Sequence, residues 1–245
     1  MTGFYICLKY LTMKQLLFLL SAFVLLNSCD YTTGSGNIIT ETRTVGNFNS
    51  ISASSSFDVE VKIGSATAIR VEADDNIMKY IVTNVSGNEL RIKVEGMHNL
   101  NDVHMKIYVT TPSLNHIIAE ASASVKVVNI LKGEGKLSFT ATSSADIEAE
   151  VEAQEVEAEA NSSGSVTLSG KTKNYKAQVS SSGDIKSAGL LSENAAVEAS
   201  SSGSADVFAS VSLNADASSS GSIDYHGGAT VKQSVSSSGS VEKKE

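Results

Sequence analysis

Four histidines are the side chains of this chain best suited to hold a transition metal. They are His98, His104, His116 and His226, three close together in the sequence and one distant. Zinc and similar ions are held by Cys and His ligands at short recurring spacings. These histidines have no such spacing and no cysteine near them. We therefore expect solvent-exposed strand histidines and predict no metal site.

Aspartates recur beside a repeated Ser-Gly motif, where calcium-binding β-rolls also place them. They are Asp146, Asp184, Asp206 and Asp224. Their offset from the corner residue varies, one residue for Asp146 and Asp184 and three for Asp206 and Asp224, and two copies of the motif have no equivalent aspartate. Because a Ca²⁺ site needs several oxygen ligands at constant positions, we predict no bound calcium and no other cofactor.

Serines and alternating glutamates could in principle support hydrolysis. A serine nucleophile on a Gly-x-Ser-x-Gly turn is not found, and a serine motif present in five copies indicates structure, since catalysis needs one. Paired carboxylates can cleave glycosidic bonds, but the glutamates between Glu148 and Glu159 have no Lys or Arg among them to act as the base of a lyase. We predict an outward, solvated acidic stripe and no enzymatic activity.

Cys29 closes a segment with the features of a secretory signal. A basic start after Met13, an almost wholly apolar run at residues 16–26 and the small Ser28 precede it. The ending Leu-Asn-Ser-Cys resembles a bacterial lipobox, which implies lipidation of Cys29; a generic signal peptide with an incidental cysteine is the alternative. We predict a lipoprotein-type signal peptide at residues 1–28, with Met13 as an alternative start. The apolar run is too short to span a bilayer, so the protein would be anchored by lipid.

The element that must position all these side chains is a repeat. Ser-Ser-Gly occurs five times, with its glycine at 164, 183, 203, 221 and 239. Residues two after the glycine and four or eight before it are apolar, the alternation of half-buried strands. The same frame extends back to Ala145 and Ala123 and reappears at Phe57. A period near 20 indicates a solenoid; a disordered Ser/Gly linker, the alternative, lacks this apolar registry.

We therefore predict an all-β chain in which β-helix-like coils of about 18–22 residues stack at about 4.8 Å. Each strand would turn at the Ser-Gly corner, where glycine supplies unusual backbone angles. Regular repeats begin at about residue 115, and the preceding part is a less regular β cap. Residues 29–37 form a tether, and residues 38–245 form a single β-solenoid domain.

Within the cap, several local signals predict elements. Gly87-Asn88 predicts a hairpin between the apolar strands that flank it. Residues 77–85 fit a short helix or a strand, and both remain open. Pro112 ends the strand before the repeats. The charged residues 241–245 would protect the open end of the stack against pairing with another chain.

Charge limits the partners. The chain has 27 acidic and 19 basic residues, and loss of residues 1–28, with Lys9 and Lys14, would leave a net charge of −10. Phosphate binding needs basic patches, so nucleic acid and anionic lipid surfaces are disfavoured. Two cysteines, Cys7 and Cys29, do not make a disulfide framework.

Several segments carry a family resemblance. Residues 34–37, 43–51 and 57–61, together with the Ser-Ser-Gly-Ser repeats, resemble the head GIN domain of the putative auto-transporter adhesin family, over roughly residues 37–241. The resemblance implies a right-handed β-helix-like fold, a Gram-negative cell envelope and, by name only, adhesion; it supplies no catalytic residues. Ala123 and Ala145 depart from the glycine of later corners and leave the geometry of those two turns open.

The sequence thus predicts a non-enzymatic cell-envelope lipoprotein, an adhesin or binding module that presents a rigid solenoid surface. Its expected partners are a membrane, through lipid on Cys29, and a surface glycan or protein ligand, without nucleic acid. The outer membrane or cell surface is the expected location, with the periplasmic side as alternative. A carbohydrate-active β-helix enzyme and a purely structural envelope protein are the alternative functions.

Overall fold

The chain is almost entirely β-structure in the computed structural model, which describes residues 31–96 and 99–245. A four-residue helix, α1 (Asp75–Met78), interrupts the strands. The strands are β1 (Tyr31–Thr33), β2 (Ile38–Arg43), β3 (Ser50–Ser54), β4 (Asp58–Ile63), β5 (Ala68–Asp74), β6 (Ile81–Ser86), β7 (Glu89–Val94), β8 (Asn99–Asn101), β9 (Met105–Thr111), β10 (His116–Glu120), β11 (Ser124–Val127), β12 (Leu131–Thr142), β13 (Asp146–Asn161), β14 (Ser165–Val179), β15 (Asp184–Ala199), β16 (Ser204–Ala217), β17 (Ser222–His226), β18 (Thr230–Val235) and β19 (Ser240–Lys243). Over the described residues, no helix is both long and apolar enough to cross a membrane.

The regular part is a stack of about seven coils with a repeat near 19 residues, so the predicted solenoid is confirmed. Each coil has two sides. Face A contains the strands that enter the Ser-Gly corner: β3, β10, β18 and the second halves of β12 to β16. Face B contains those that leave it: β4, β11, β17, β19 and the first halves of β13 to β16. Neighbouring coils pair in parallel on both faces.

Apolar columns run the length of the stack between the two faces. On face A, Ala141 pairs with Ala160, which pairs with Val179. On face B, Ile147 pairs with Val166, which pairs with Ile185. All of these side chains are buried. Each coil contributes only half of every contact, and burying a Val or Ile side chain is worth about 1.5–3 kcal/mol, so a coil is stable only between neighbours.

The coil at Phe57 is part of the same stack, although it lies some 60 residues before the next corner in the sequence. Ile51 pairs with Ile117 on face A, and Val59 pairs with Val125 on face B. The segment between these two coils folds onto the opposite side of the Phe57 coil. There β7 pairs with β3 and β9 pairs with β4, both in parallel.

Antiparallel strands complete this cap. β5 lies between β2 and β9, and β6 forms a hairpin with β7 in which Ser86 pairs with Glu89. The predicted Gly87-Asn88 hairpin is therefore confirmed. Residues 77–85, which fitted either a short helix or a strand, contain parts of both, since α1 ends at Met78 and β6 begins at Ile81. The antiparallel strands explain why the cap does not show the 20-residue period.

The segment expected to act as a tether lies, over its described residues, against the cap. β1 pairs in parallel with β8. The backbone N–H of Gly36 donates to the Asp74 carboxylate at 2.7 Å, and that of His104 donates to the same carboxylate at 2.7 Å. Asp74 is the residue before α1 and does not cap the helix with its side chain. Its carboxylate instead joins two loops.

The Ser-Gly corner is built differently from our expectation. The left-handed residues are the two serines, such as Ser201 (φ 50°) and Ser202 (φ 64°), and not the glycine after them. The Gly203 N–H donates to the Ser200 carbonyl at 2.8 Å, which closes a turn with two positive φ values, the type I′ pattern. The expectation that glycine supplies the backbone angles is wrong. Glycine is needed because the preceding coil lies too close for a side chain.

The two corners that end in alanine have the same turn. Ser143 and Ser144 have φ values of 56° and 64°, and the Ala145 N–H donates to the Thr142 carbonyl at 3.3 Å. Ala121 and Ser122 repeat this geometry before Ala123. The question left open by these two alanines is therefore answered: the left-handed pair, and not the residue after it, defines the corner.

Candidate binding surface

Outward side chains form straight rows along both faces, because every coil repeats the same in–out alternation in register. Neighbouring members of a row lie about 4.8 Å apart along the stack. A residue's neighbours on the surface are therefore about 20 positions away in the sequence, and any site on these faces is assembled from several coils.

On face B, three of the four repeated aspartates lie beside a cationic or titratable partner. Asp184 pairs with Lys186 at 2.8 Å and Asp224 with Lys244 at 3.4 Å. The Asp206 carboxylate lies 3.0 Å from His226 Nε2. The hydrogen bond to Asp184 raises the pKa of Lys186 above its ordinary value. Within residues 31–96 and 99–245, no three His, Cys, Asp or Glu side chains come together as metal ligands would.

The histidines lie in different parts of the fold. His104 belongs to the cap and is exposed, His116 lies on β10 of face A, and His226 ends β17 on face B. Desolvation lowers the pKa of His116, against an opposite effect of Glu89. The expectation of exposed histidines is wrong for His116 and His226, which are half-buried. His98 lies outside the described residues.

The glutamate stripe of β13 points outward as predicted, but it is not without bases. Lys126 of β11 pairs with Glu148 at 2.8 Å, and Lys132 of β12 pairs with Glu152 at 2.9 Å. Stacking thus places lysines from neighbouring coils beside the acids. The prediction that these glutamates have no Lys or Arg beside them is therefore wrong, and the lack of a base no longer counts against a lyase.

Glu157 is the most enclosed member of the stripe. Lys136 and Lys176, from the coils on either side, both form ion pairs with it, the second at 3.0 Å. The hydrogen bond from Lys136, followed by that from Lys176, lowers the pKa of Glu157 below its ordinary value. This part of face A is a compensated ionic network.

Further along face A, acidic side chains lie side by side without ion pairs to lysine. In this region Glu198 of β15 pairs in register with Asp216 of β16, which puts two carboxylates side by side. Glu198 accepts a hydrogen bond from Gln178 Nε2 at 3.0 Å. Neither carboxylate forms an ion pair with a cation of the described chain, and like charges directly opposite each other are destabilising.

An amide ladder runs parallel to these carboxylates, closer to the edge of the coils opposite the Ser-Gly corner. Asn194 Nδ2 donates to Asn174 Oδ1 at 3.3 Å, and Ser212 Oγ donates to Asn194 Oδ1 at 2.8 Å. Between the ladder and the carboxylates lie Ala196 and Asn214, which pair in register and are both exposed.

These rows enclose the surface that we call the face-A groove. Its sides and floor are Asn194, Ala196 and Glu198 of β15 and Ser212, Asn214 and Asp216 of β16. The short Ala196 side chain leaves two adjoining depressions of about 420 and 240 Å³, which share Ala196 and Asn214. The groove is open and polar. Its six residues include the acidic Glu198 and Asp216, and Lys176 and Lys232 also line the depressions.

Sequence reasoning missed this groove because it considered only residues with catalytic or ligating chemistry. A signal was present: Asn174 and Asn194 stand nine residues before the glycines of successive corners, and Ser212 has the same offset. A survey of outward positions, coil by coil, would have found the ladder. The predicted lipidation residue, Cys29, lies outside the described residues.

A separate depression, of about 680 Å³, lies on the edge opposite the Ser-Gly corner. Its lining combines Glu134, Glu152, Lys171 and Glu193. Leu191 and Val211, on the same edge in successive coils, are about half exposed. The mixture of both charge signs with apolar side chains gives this edge no single ligand chemistry.

Comparisons with known proteins agree with the architecture. A family model described as "Putative auto-transporter adhesin, head GIN domain" matches residues 47–229. A crystal structure of a putative adhesin from Bacteroides fragilis superposes with a TM-score of 0.80 at 23% identity, covering 87% of this chain and 100% of that one. No curated protein matches this chain.

Two structures from Parabacteroides distasonis are also similar. One, a putative adhesin, has a TM-score of 0.72 at 24% identity and covers 88% of this chain and 100% of that one. The other, named as a putative lipid binding protein, has a TM-score of 0.71 at 24% identity, with the same coverage. At these identities the likeness shows the fold alone.

Proposed function

From the premise that the chain belongs to the auto-transporter adhesin head GIN domain family, we propose that it is a non-enzymatic, lipid-anchored protein of the cell envelope. In this function the solenoid is a rigid support that presents its outer faces to a ligand. An adhesin family implies a cell-surface or envelope location, which supports the outer membrane or cell surface as the place of the protein.

The observation that carries the proposal is the order of segments along the chain. A lipobox-like sequence ends at Cys29, and the family match begins at residue 47. A lipid on Cys29 would therefore hold the capped end of the stack near the membrane. The stacked coils would extend from there, with faces A and B accessible along their length.

Rigidity supports a binding role for the faces. Parallel pairing joins each coil to the next on both sides, and the apolar columns between them are buried. Side chains on such strands are already held at constant spacing, so a ligand would not have to order them, and that ordering is one of the main costs of association.

The anchor is tested by metabolic labelling with a palmitate analogue. We expect wild type and Cys7→Ala to be labelled and to sediment with membranes, and Cys29→Ala to lose both properties. Undiminished labelling of Cys29→Ala would contradict the anchor. Protease treatment of intact cells then separates a surface location, where the protein is digested, from a periplasmic one, where it is protected.

Binding and chemistry are tested on purified protein. Retention of the protein on immobilised glycans or matrix proteins, with unchanged ligand afterwards, is the expected result. Shortening of a polysaccharide during incubation would contradict the non-enzymatic assignment and favour a carbohydrate-active enzyme. Lack of retention on every surface would favour a purely structural envelope protein.

A further inference from the structure

The face-A groove differs from the rest of face A in its hydrogen-bonding groups. Toward the cap, Glu157 is neutralised by two lysines. In the groove, Glu198 and Asp216 lie side by side and form no ion pair within the described chain, and Lys232 lines the same depression. Two adjacent carboxylates of this kind accept hydrogen bonds strongly, and hydrogen bonds to charged groups are about twice as strong as neutral ones.

The opposite side of the groove supplies donors as well as acceptors. The Asn174–Asn194–Ser212 ladder uses one amide N–H of Asn194 and the hydroxyl of Ser212 internally. Each Asn side chain has two N–H donors and an acceptor oxygen, so the ladder retains groups for a ligand. The Asn214 side chain on the floor is exposed and forms no hydrogen bond with the described residues.

We infer that the face-A groove binds a neutral, hydroxyl-rich glycan chain laid along the stack. Sugar hydroxyls would donate to Glu198 and Asp216 and would accept from the amides of Asn194 and Asn214. With the flanking Asn174 on β14 and Lys232 on β18, which line the same depressions, the groove spans three coil steps or about 14 Å, which is enough for a short oligosaccharide segment. The inference deepens the proposed binding function and rests on it.

The composition of the groove disfavours other ligands. Protein interfaces depend on aromatic and Arg anchors, and none of its six residues is of those types. Nucleic acids and sulfated polymers need a basic surface. The lining of the two depressions combines Glu155, Glu198 and Asp216 with Lys176 and Lys232 and is not basic. Tyr175 lines one depression but is buried, so it offers no ring for a sugar to stack on. Binding at a single site should therefore be weak, and many anchored copies would add avidity.

The test measures binding of the immobilised full-length protein, purified in detergent, to soluble polysaccharides by biolayer interferometry. The neutral probes are mannan, xylan and arabinogalactan; polygalacturonate and heparin are anionic comparators, and fibronectin is the protein comparator. We expect binding of at least one neutral polymer and none of the anionic ones.

Two variants locate the site. Ala196→Leu fills the floor and should weaken binding at least tenfold, while Asn214→Ala removes hydrogen bonds and should weaken it about three- to tenfold. Thr167→Leu and Ser204→Ala make matched changes on exposed strand positions of face B and should leave binding unchanged. Equal thermal unfolding midpoints exclude a folding defect, since all four positions are on the surface.

Each result of these binding experiments supports or overturns a stated part of the inference. Binding that survives Ala196→Leu would overturn the groove as the site, and binding only to anionic polymers would overturn the ligand class. Binding only to fibronectin would overturn the glycan inference while leaving the proposed binding function intact. Failure of every probe would overturn the glycan inference, and a lack of adhesion by cells that display the protein would overturn the proposed binding function as well.

Discussion

Gly203 lies directly against the carbonyl group of Val179, a residue of the preceding coil. A methyl group placed on Gly203 would lie 2.8 Å from the Val179 carbonyl carbon and 2.9 Å from the Ser180 nitrogen. Real side chains do not come so close to backbone. The contact explains why glycine follows the two left-handed serines in five corners, although its own φ is ordinary.

Gly203→Ala should therefore destabilise the solenoid. The coils must separate locally to admit the methyl group, and overpacking of this kind costs about 1–3 kcal/mol. Urea unfolding followed by circular dichroism measures the loss. Gly228→Ala is the control, because a methyl group there meets no atom within 4 Å. An unchanged midpoint for Gly203→Ala would mean that the corner relaxes to a spacing that suits Ala145.

Substitutions of Ser202 test whether the corner needs a left-handed backbone at this position. A left-handed backbone costs an L-residue about 1–2 kcal/mol, and a β-branched side chain fits there worst. Ser202→Val should lower the free energy of unfolding by at least about 1 kcal/mol, whereas Ser202→Gly should leave it unchanged or raise it. Ser204→Val, on an exposed strand position, should be neutral because valine favours strands. Equal effects of the two valines would contradict the corner geometry.

Tyr175 places its hydroxyl in the interior without a hydrogen bond of ordinary geometry. Burial raises the pKa of this hydroxyl, against a smaller opposite effect of Ser187. The Ser187 hydroxyl itself donates to the Asp206 carbonyl at 3.0 Å. Because an unsatisfied buried donor costs about 1–3 kcal/mol, Tyr175→Phe should raise the free energy of unfolding by up to about 1 kcal/mol. A loss of stability in urea would instead show a hydrogen bond between Tyr175 and Ser187.

The ion pairs of Glu157 should make the free energy of unfolding depend on pH in the acid range. Its pKa is lowered in the folded state by Lys136 and then Lys176, so the ion pairs stabilise the protein above the unfolded pKa of about 4.3. That contribution is lost as the pH falls from there through the lower folded pKa. Since the lysines are about half exposed, the contribution should stay below about 1 kcal/mol.

Glu157→Gln should accordingly be less stable than wild type at pH 7, and the difference should vanish near pH 2. Thermal unfolding between these pH values measures it. Glu150→Gln is the matched control, because Glu150 is an exposed member of the same stripe and forms no ion pair with the described residues. A difference that is constant over the whole pH range would indicate packing rather than charge.

Removal of one whole coil should be tolerated. Deleting residues 184–203 joins Gly183 to Ser204, the same step from corner to strand that the chain makes at Gly203. Because each coil contacts chiefly its neighbours, the shortened protein should keep its β-sheet circular dichroism, with a lower midpoint. Deleting residues 184–193 instead moves face B strands into face A positions and should abolish cooperative unfolding. Similar behaviour of both deletions would contradict the stacked register.

Burial is the reason that so much of this architecture could be predicted from sequence. Residues such as Val166, Ile185 and Ile223 must avoid water, so their spacing directly shows the alternation of each strand and the period of the coils. The hairpin at Gly87-Asn88 and the family resemblance follow from equally local signals. The lipidation of Cys29 stays a prediction, since that residue lies outside the described structure.

Neighbours on the outer faces were decided by the tertiary structure. No burial requirement brings Lys136, which pairs in register with Glu155, to Glu157 as its ion-pair partner. The alignment of such outward residues depends on how coils of unequal length are brought back into register, which happens through irregular pairing between Gly133 and Lys136 and between Ser187 and Ser192. The close contact at Gly203 likewise depends on the distance between coils. The sequence by itself determined which residues point inward. The stacking determined which outward residues become neighbours, because any order of polar side chains is compatible with solvent and only the register between whole coils fixes that order.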